Sequence, residues 1–587
     1  MAETRNEAAI IKRQLAAKYR DKLQKKREEL EKTLPKDQYN FAHSYTNAAD
    51  TSVYNNIYHA LRKGTDNLSA YVRNDMKWLK GFISEEKFNA LVYFAERLTL
   101  YPYSDSYMRR SLRSKDHAVY LDRFVTEVRH TCTYTVPERL AGILNRDLPD
   151  DAEAYIDGTL WQGPGYRGVQ VAYAIDSGDE EVREAVRRIL TEENSSSMMS
   201  NELIRGIIMS DDAEFHKLLC KLLLAARLQE GLRQSICENA DCGTKEGFLA
   251  ILSTIAENDL IRFSSVKRAV GVWLGLFTEE TRDLERVSAK SVKLMLECLE
   301  DTAKRDEYLT SEDAMQIYIA LWSCGFENVE SSGEKIYDIS NDGSRHQLLV
   351  AGYYANNIDN VTLENRIAKN VVKHHRDKED VLAVWLPSYM KNNSWVIYNH
   401  LNHQIKPDSK IYFENRDEIE EQYKIISDIY SSFKGKEKIF SPCVFPWHSA
   451  KISKSQLAEI LCGIAVFSED ADKIDECAPL IKECSADNRR RYYTALLCDP
   501  KSEKQRIALI EGLADKESGT RMQAIAMLRK LSLRDDEYEK IEGFLRFKAA
   551  DIRKGAIELI LKRVGDDLNV SLSRLLASDK EDIRLGF

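Results

Sequence analysis

The residues with the most chemical promise come early in the chain. Gly163-Pro164-Gly165-Tyr166-Arg167-Gly168 spells G-x-G-x-x-G, the glycine spacing that lets a pyrophosphate approach backbone amides at a helix N-terminus. That chemistry needs a hydrophobic strand leading in, and the upstream Asp150-Asp151-Ala152-Glu153-Ala154-Tyr155 is acidic. A loop between helices is the expectation here. Cys237 and Cys242 follow His216, but no second cysteine pair stands at zinc-ligand spacing, so packed, reduced cysteines are expected. His400 and His403 have helical i, i+3 spacing without the glutamate of H-E-x-x-H, and His374-His375 lies in a basic stretch. Neither a G-x-S-x-G elbow nor a G-x-x-x-x-G-K-[ST] loop occurs. The sequence therefore assigns no catalytic residue, no cofactor and no metal ligand, and points to a protein that is not an enzyme.

Charged clusters remain as candidates for an interaction surface. In the segment Leu222 to Gln234, Arg227, Glu230 and Arg233 stand where helical i, i+3 neighbours pair. Arg262, Lys267 and Arg268 follow in Asn258 to Val270, with Ser264 or Ser265 expected as a helix N-cap. Arg489-Arg490-Arg491 forms a third cluster. Two uses compete: charge networks or partner grooves between packed helices, and a basic groove holding a nucleic-acid backbone.

Composition bears on that choice. With 94 acids against 85 Lys and Arg, the formal charge is −9, which disfavours nucleic-acid binding through bulk charge but leaves a local basic patch open. Only 26 glycines and 11 prolines occur in 587 residues, too few turn residues for a strand-rich fold. No apolar run is long enough to span a bilayer, and Met1 to Glu7 carries acids with no apolar segment after it. Eleven scattered cysteines fit a reducing compartment better than a disulfide framework. A cytoplasmic location is expected.

The elements that must position these residues read as helices throughout. Residues 5 to 34 form a charged helix with Ile11, Leu15, Tyr19, Leu23, Leu30 and Leu34 on one face, stopped by Pro35. Breaks are expected over 145 to 168, at Asn194-Ser195-Ser196-Ser197 and from Ser431 to His448. Ser453-Lys454-Ser455-Gln456 is a capping box, and Thr310 with Asp313 a looser one.

After the linker ending at His448 the chain becomes periodic: Arg490, Arg521, Arg553 and Arg584 recur every 31 or 32 residues, with Leu513, Leu545 and Leu576 eight residues before the last three. Ala550-Asp551-Ile552-Arg553 and Glu581-Asp582-Ile583-Arg584 resemble the opening of a HEAT-repeat helix. In that signature the acid favours the helix N-terminus, the apolar residue enters the core, and the arginine bridges to the next unit. Gly178-Asp179-Glu180-Glu181-Val182-Arg183 has the same form. One helical pair cannot bury its apolar face alone, so the units are expected to stack.

The expected fold is all-α, an α-solenoid of HEAT-like helical-pair repeats with an irregular helical N-terminal part. Its divisions are a charged helix at 1–35, an N-terminal helical region at 36–200, a central one at 201–430, and repeats at 431–587. Because the last unit stops at Gly586-Phe587, partway into a helix, these repeats are expected to continue in a longer protein.

Two stretches, Ala225-Ala226-Arg227-Leu228-Gln229-Glu230-Gly231-Leu232-Arg233-Gln234 and Leu260-Ile261-Arg262-Phe263-Ser264-Ser265-Val266-Lys267-Arg268-Ala269, carry a resemblance. They resemble the N-terminal region of a large bacterial family of HEAT-repeat proteins named after a molybdate metabolism regulator, from about residue 60 onward. The resemblance implies a non-enzymatic scaffold or adaptor, with a MoxR-type AAA+ ATPase or a von Willebrand factor A-domain protein as its partner. It carries over no catalytic residue.

Overall fold

Many of the described helices begin where a polar side chain can accept from backbone N–H groups that have no intrahelical partner. Asp179 accepts from Glu181 N and Val182 N at 3.1 and 3.0 Å. Ser200 takes Leu203 N, Thr244 takes Gly247 N and the expected cap Ser453 takes Gln456 N, each at 3.1 Å. Asp313, rather than Thr310, accepts from Met315 N at 2.9 Å.

A computed structural model describes residues 68–75, 77, 85–97, 100, 167–192, 199–225, 230–278, 281–327, 329–355, 361–391, 393, 397 and 411–578, with the single positions 25, 28, 32 and 36. Outside them lie nearly all of the expected helix at 5–34, the loop from 145 to 166 and the Asn194–Ser197 break. Arg227, His400, His403 and the last repeat signature with Arg584 lie outside them too. Helices make up 77% of the described residues, about 25 of them packing in pairs. None of the described helices is long and apolar enough to cross a membrane.

The chain divides into two compact units, Met1–Ser311 with Ile319–Ser332, and Glu312–Tyr318 with Gly333–Phe587. The first holds α1 (Leu68–Asp75), α2 (Glu85–Arg97), α3 (Arg167–Asp176), α4 (Glu180–Thr191), α5 (Asn201–Met209) and α6 (Ala213–Leu224). It continues with α7 (Glu230–Asn239), α8 (Lys245–Glu257), α9 (Ser264–Trp273), α10 (Ala289–Glu300) and α11 (Thr302–Leu309). Beyond neighbour contacts, a second pattern recurs: α3 packs on α5, α4 on α6, α5 on α7, α6 on α8, α7 on α9 and α8 on α10. Gly206 on α5 allows the first of these contacts, since a Cβ there would stand 2.5 Å from the Val171 Cβ on α3. Phe248 anchors the core, its ring 5.1 Å from Trp273 and 4.6 Å from Phe326. Trp322 Nε1 donates to Trp273 O at 2.7 Å, which satisfies a fully buried indole.

Helices α12 (Ala314–Glu327) and α13 (Val329–Asp342) contribute to both units. The second unit continues with α14 (Arg345–Ala355), α15 (Val361–His374), α16 (Glu379–Trp385), α17 (Arg416–Ser432), β1 (Glu437–Phe440) and β2 (Ala450–Ser453). After them come α18 (Lys454–Ser468), α19 (Ala471–Cys477), α20 (Ala486–Leu497), α21 (Glu503–Glu511), α22 (Ser518–Leu528), α23 (Asp535–Glu542), α24 (Ala550–Ile560) and α25 (Asp566–Leu576). The same skip-one packing holds from α18 on α20 through α23 on α25. Leu509 and Leu513 in this run have no exposed surface, and truncating such a leucine to alanine typically costs about 2–5 kcal/mol.

Two details depart from the sequence expectations. The segment from Leu222 to Gln234 is not one helix, because α6 ends at Leu224 and α7 starts at Glu230. The break expected from Ser431 to His448 holds a strand, since β1 pairs antiparallel with β2, Lys438 opposite Ile452 and Ile439 opposite Lys451. The reason lies in burial: Ile452 has no exposed surface, and β2 packs on α16.

Candidate functional site

Phe263, the residue before α9, is the centre of the central cluster. The Arg233 guanidinium lies over its ring at 4.1 Å and that of Arg262 at 5.0 Å, an arrangement in which the ring quadrupole attracts both cations. Arg233 is buried and donates Nη1 to Glu230 Oε2 at 2.5 Å. The other Glu230 oxygen accepts from the Ser265 hydroxyl. Neither Ser264 nor Ser265 caps α9: its N-cap is Phe263, with no side-chain cap bond, and the Ser265 hydroxyl is committed to Glu230 instead. That hydroxyl, and then Arg233 against the opposing effect of burial, holds the Glu230 carboxyl below its usual range.

The other expected cations are held as well. Arg268 pairs with Glu238, which also accepts from Gln234 Nε2 at 2.7 Å, and Lys267 Nζ reaches Glu285 at 2.7 Å. Arg262 keeps only a marginal ion pair with Asp259 at 3.9 Å and is 60% exposed. Arg233 and Arg262 thus meet on one aromatic ring with Glu230 bound to Arg233, while Lys267 and Arg268 go to separate acids. Sequence reasoning missed Phe263, although the spacing of Arg262-Phe263 and the Glu230-to-Arg233 turn was the available signal.

The cluster at Arg489-Arg490-Arg491 splits three ways. Arg489 donates Nη1 to Cys484 O at 2.8 Å and pairs with Asp515 at 2.9 Å. Arg491 Nη1 reaches Asn488 Oδ1 at 3.5 Å. Arg490 is exposed, and among the described residues its side chain has no partner.

Arg489 belongs to a recurring device. It stands four residues after the N-cap Ser485. Arg521 stands four after Glu517, donates Nη1 to Asp515 O at 2.6 Å and Nε to Asp551 at 2.7 Å. Arg183 stands four after Asp179 and reaches Ile175 O at 3.0 Å and Asp212 at 2.6 Å. In each case the guanidinium ties the end of the preceding segment to an acid at the start of the helix two positions on. Arg489, Arg521 and Arg553 stand 32 residues apart, so Arg489, not Arg490, is the member in register. Arg506, four after Ser502, also links α21 to α23, with Glu537 at 2.5 Å, but its carbonyl partner Ser532 O at 2.9 Å lies before α23 rather than before its own helix. The Arg521 guanidinium lowers the Asp551 carboxyl. Burial alone would raise Asp212, yet Arg183 keeps it below its usual value.

Most of the remaining described sequence candidates are internal. His216 Nε2 faces Ser210 O at 3.0 Å, and burial lowers its pKa. Cys237 and Cys242 are fully buried, and burial pushes the Cys237 thiol up to about 12. Among the described residues no group of three or more His, Cys, Asp or Glu could hold a metal ion. His375 is buried and faces Ser340 O at 3.2 Å, while His374 is exposed.

The model of DUF5724, a family of unknown function, matches residues 24–586. No curated protein and no solved structure matches the chain.

Proposed function

From a chain that belongs to the DUF5724 family, we propose a non-enzymatic α-solenoid scaffold of HEAT-like helical pairs that binds protein partners. The observation that carries this reading is the arginine four residues after the cap, which joins helices two apart at Arg183, Arg489, Arg506 and Arg521. A linkage repeated from one helical pair to the next suits an extended stack that presents surface along its length. The pairing of cations supports protein over nucleic acid as the partner, since Arg233, Lys267, Arg268 and Arg489 are neutralised by carboxylates. Unneutralised phosphate-binding cations are what a nucleic-acid groove needs. A MoxR-type AAA+ ATPase or a von Willebrand factor A-domain protein is the partner that the family resemblance implies.

Affinity purification of the protein from its host, with and without nuclease, tests this. A stable protein partner that survives nuclease treatment is expected. Recovery of nucleic acid without any protein would overturn the reading and favour a local basic groove, either at Arg262 or at Arg490.

A further inference from the structure

The β1–β2 hairpin is the one place among the described residues where backbone hydrogen-bonding groups line an open edge. Lys454 N donates to Lys436 O at 2.9 Å, which makes Lys436 and Lys454 a hydrogen-bonded pair in this register. Bonded and non-bonded pairs alternate along an antiparallel ladder, so Lys438 with Ile452 and Phe440 with Ala450 face each other through hydrogen bonds. Glu437 and Ile439 are the non-bonded positions. Their N–H and C=O groups point away from β2, and both residues are exposed. The Ile439 side chain is 63% exposed, whereas Lys438 turns the other way to reach Glu379 on α16 at 2.6 Å.

An open edge of this kind is a template for another strand. Its charge decides which. Lys434, Lys436 and Lys451 are exposed around it, and among the described residues none of them has an acidic partner. A basic strand would set further cations beside these lysines, and like charges across a strand pair are unfavourable. An acidic strand meets the opposite condition. We infer that the edge of β1 binds an extended, acidic segment of a partner protein, which adds a third strand through the outward N–H and C=O groups of Glu437 and Ile439. Alternate apolar residues of that segment lie beside Ile439, and its carboxylates, on the opposite face of the added strand, lie beside Lys436. This deepens the scaffold reading by naming a docking mode, and it rests on that reading.

The substitution that isolates the edge is Ile439→Pro. It deletes an N–H that points outward and leaves the bonded pairs with β2 in place, and proline is tolerated in this setting on edge strands. The probe is a fluorescein-labelled eight-residue peptide of alternating Glu and Val, titrated with the full chain and read by anisotropy. Saturable binding that weakens with salt is expected. Ile439→Pro is expected to weaken it by about tenfold or more, because one amide hydrogen bond is lost and the edge is blocked. Ile439→Ala, which keeps the N–H, should cost less than about fivefold. The double variant K434E/K436E should reverse selectivity, favouring a peptide of alternating Lys and Val. Absence of binding by the Glu–Val peptide, or equal binding by wild type and Ile439→Pro, overturns the inference. A partner that co-purifies equally with wild type and Ile439→Pro would also remove the edge while leaving the scaffold reading in place.

Discussion

Replacing Arg506 by leucine is the sharpest test of the inter-helix arginine links. Glu537 has no exposed surface and is held by Arg506 Nε at 2.5 Å and Nη2 at 2.7 Å. Removing one partner of a buried ion pair typically costs about 3–5 kcal/mol, because the remaining charge is left without compensation. Glu537 would keep Arg534 N at 2.8 Å and Arg534 Nη2 at 3.2 Å, so the low end, about 3 kcal/mol, applies. That amounts to about two orders of magnitude in an opening equilibrium. The matched comparison is Arg521→Leu, whose partner Asp551 is half exposed. An ion pair of that exposure is worth about 1 kcal/mol or less.

Native-state hydrogen exchange at neutral pH is the suitable assay, since it reads α23 and α24 separately within a chain of two units. Amides of Asp535–Glu542 should lose about a hundredfold protection in Arg506→Leu, against less than about sixfold for Ala550–Ile560 in Arg521→Leu. The double variant Arg506→Leu with Glu537→Leu should recover most of the loss. Burial acting alone would raise the Glu537 pKa, and Arg506 keeps it low instead. The link therefore contributes above the ordinary glutamate pKa and fades as pH falls through the lowered value. Equal losses in the two single variants, or a double variant no more protected than Arg506→Leu, would refute this account of the links.

Gly206→Ala should destabilise the first unit by about 1–3 kcal/mol through overpacking against Val171, visible as a lowered melting transition; an unchanged transition would mean that α3 and α5 can separate freely. Phe263→Leu keeps apolar volume but removes the ring shared by Arg233 and Arg262. It should cost about 1 kcal/mol in urea denaturation, with the loss abolished in an Arg233→Met background. Glu230 is lowered first by Ser265, so its contribution is present above the ordinary glutamate pKa and disappears as pH falls through the lowered one. Wild type should accordingly lose more stability than Ser265→Ala between about pH 6 and pH 3, and parallel pH profiles for the two proteins would count against that hydrogen bond.

What could be read from the sequence was whatever rests on short-range spacing. Arg183, Arg521 and Asp551 were visible because a cap, an acid and an arginine within a few positions define a helix start. The register at Arg489-Arg490-Arg491 was not, since three adjacent arginines offer three choices at nearly the same period, and the bonds of Arg489 to the Cys484 carbonyl and Asp515 select among them. Ser264 and Ser265 looked like caps because nothing local reveals that Glu230, 35 residues earlier, takes the Ser265 hydroxyl. The break after Leu224 carries no glycine or proline to announce it. The hairpin was hidden for the opposite reason: Gly435, Pro442 and Pro446 made its surroundings look like a linker, and four-residue strands are too short for a period of two to stand out.

The arginine links also have a mechanical consequence. Along the C-terminal helices, Arg489 and Arg521 tie α20 to the start of α22 and α22 to α24, while Arg506 ties α21 to α23. The partner acids differ in exposure from none at Glu537 to half at Asp551. Under a bending load, an exposed link yields first because water replaces its partner at little cost, whereas a buried one resists until its whole neighbourhood opens. The link at Asp551 is therefore the compliant one in this stretch, and the links at Asp515 and Glu537 are the stiff ones. A partner gripping these helices would find them easier to flex between α22 and α24 than between α20 and α22 or between α21 and α23.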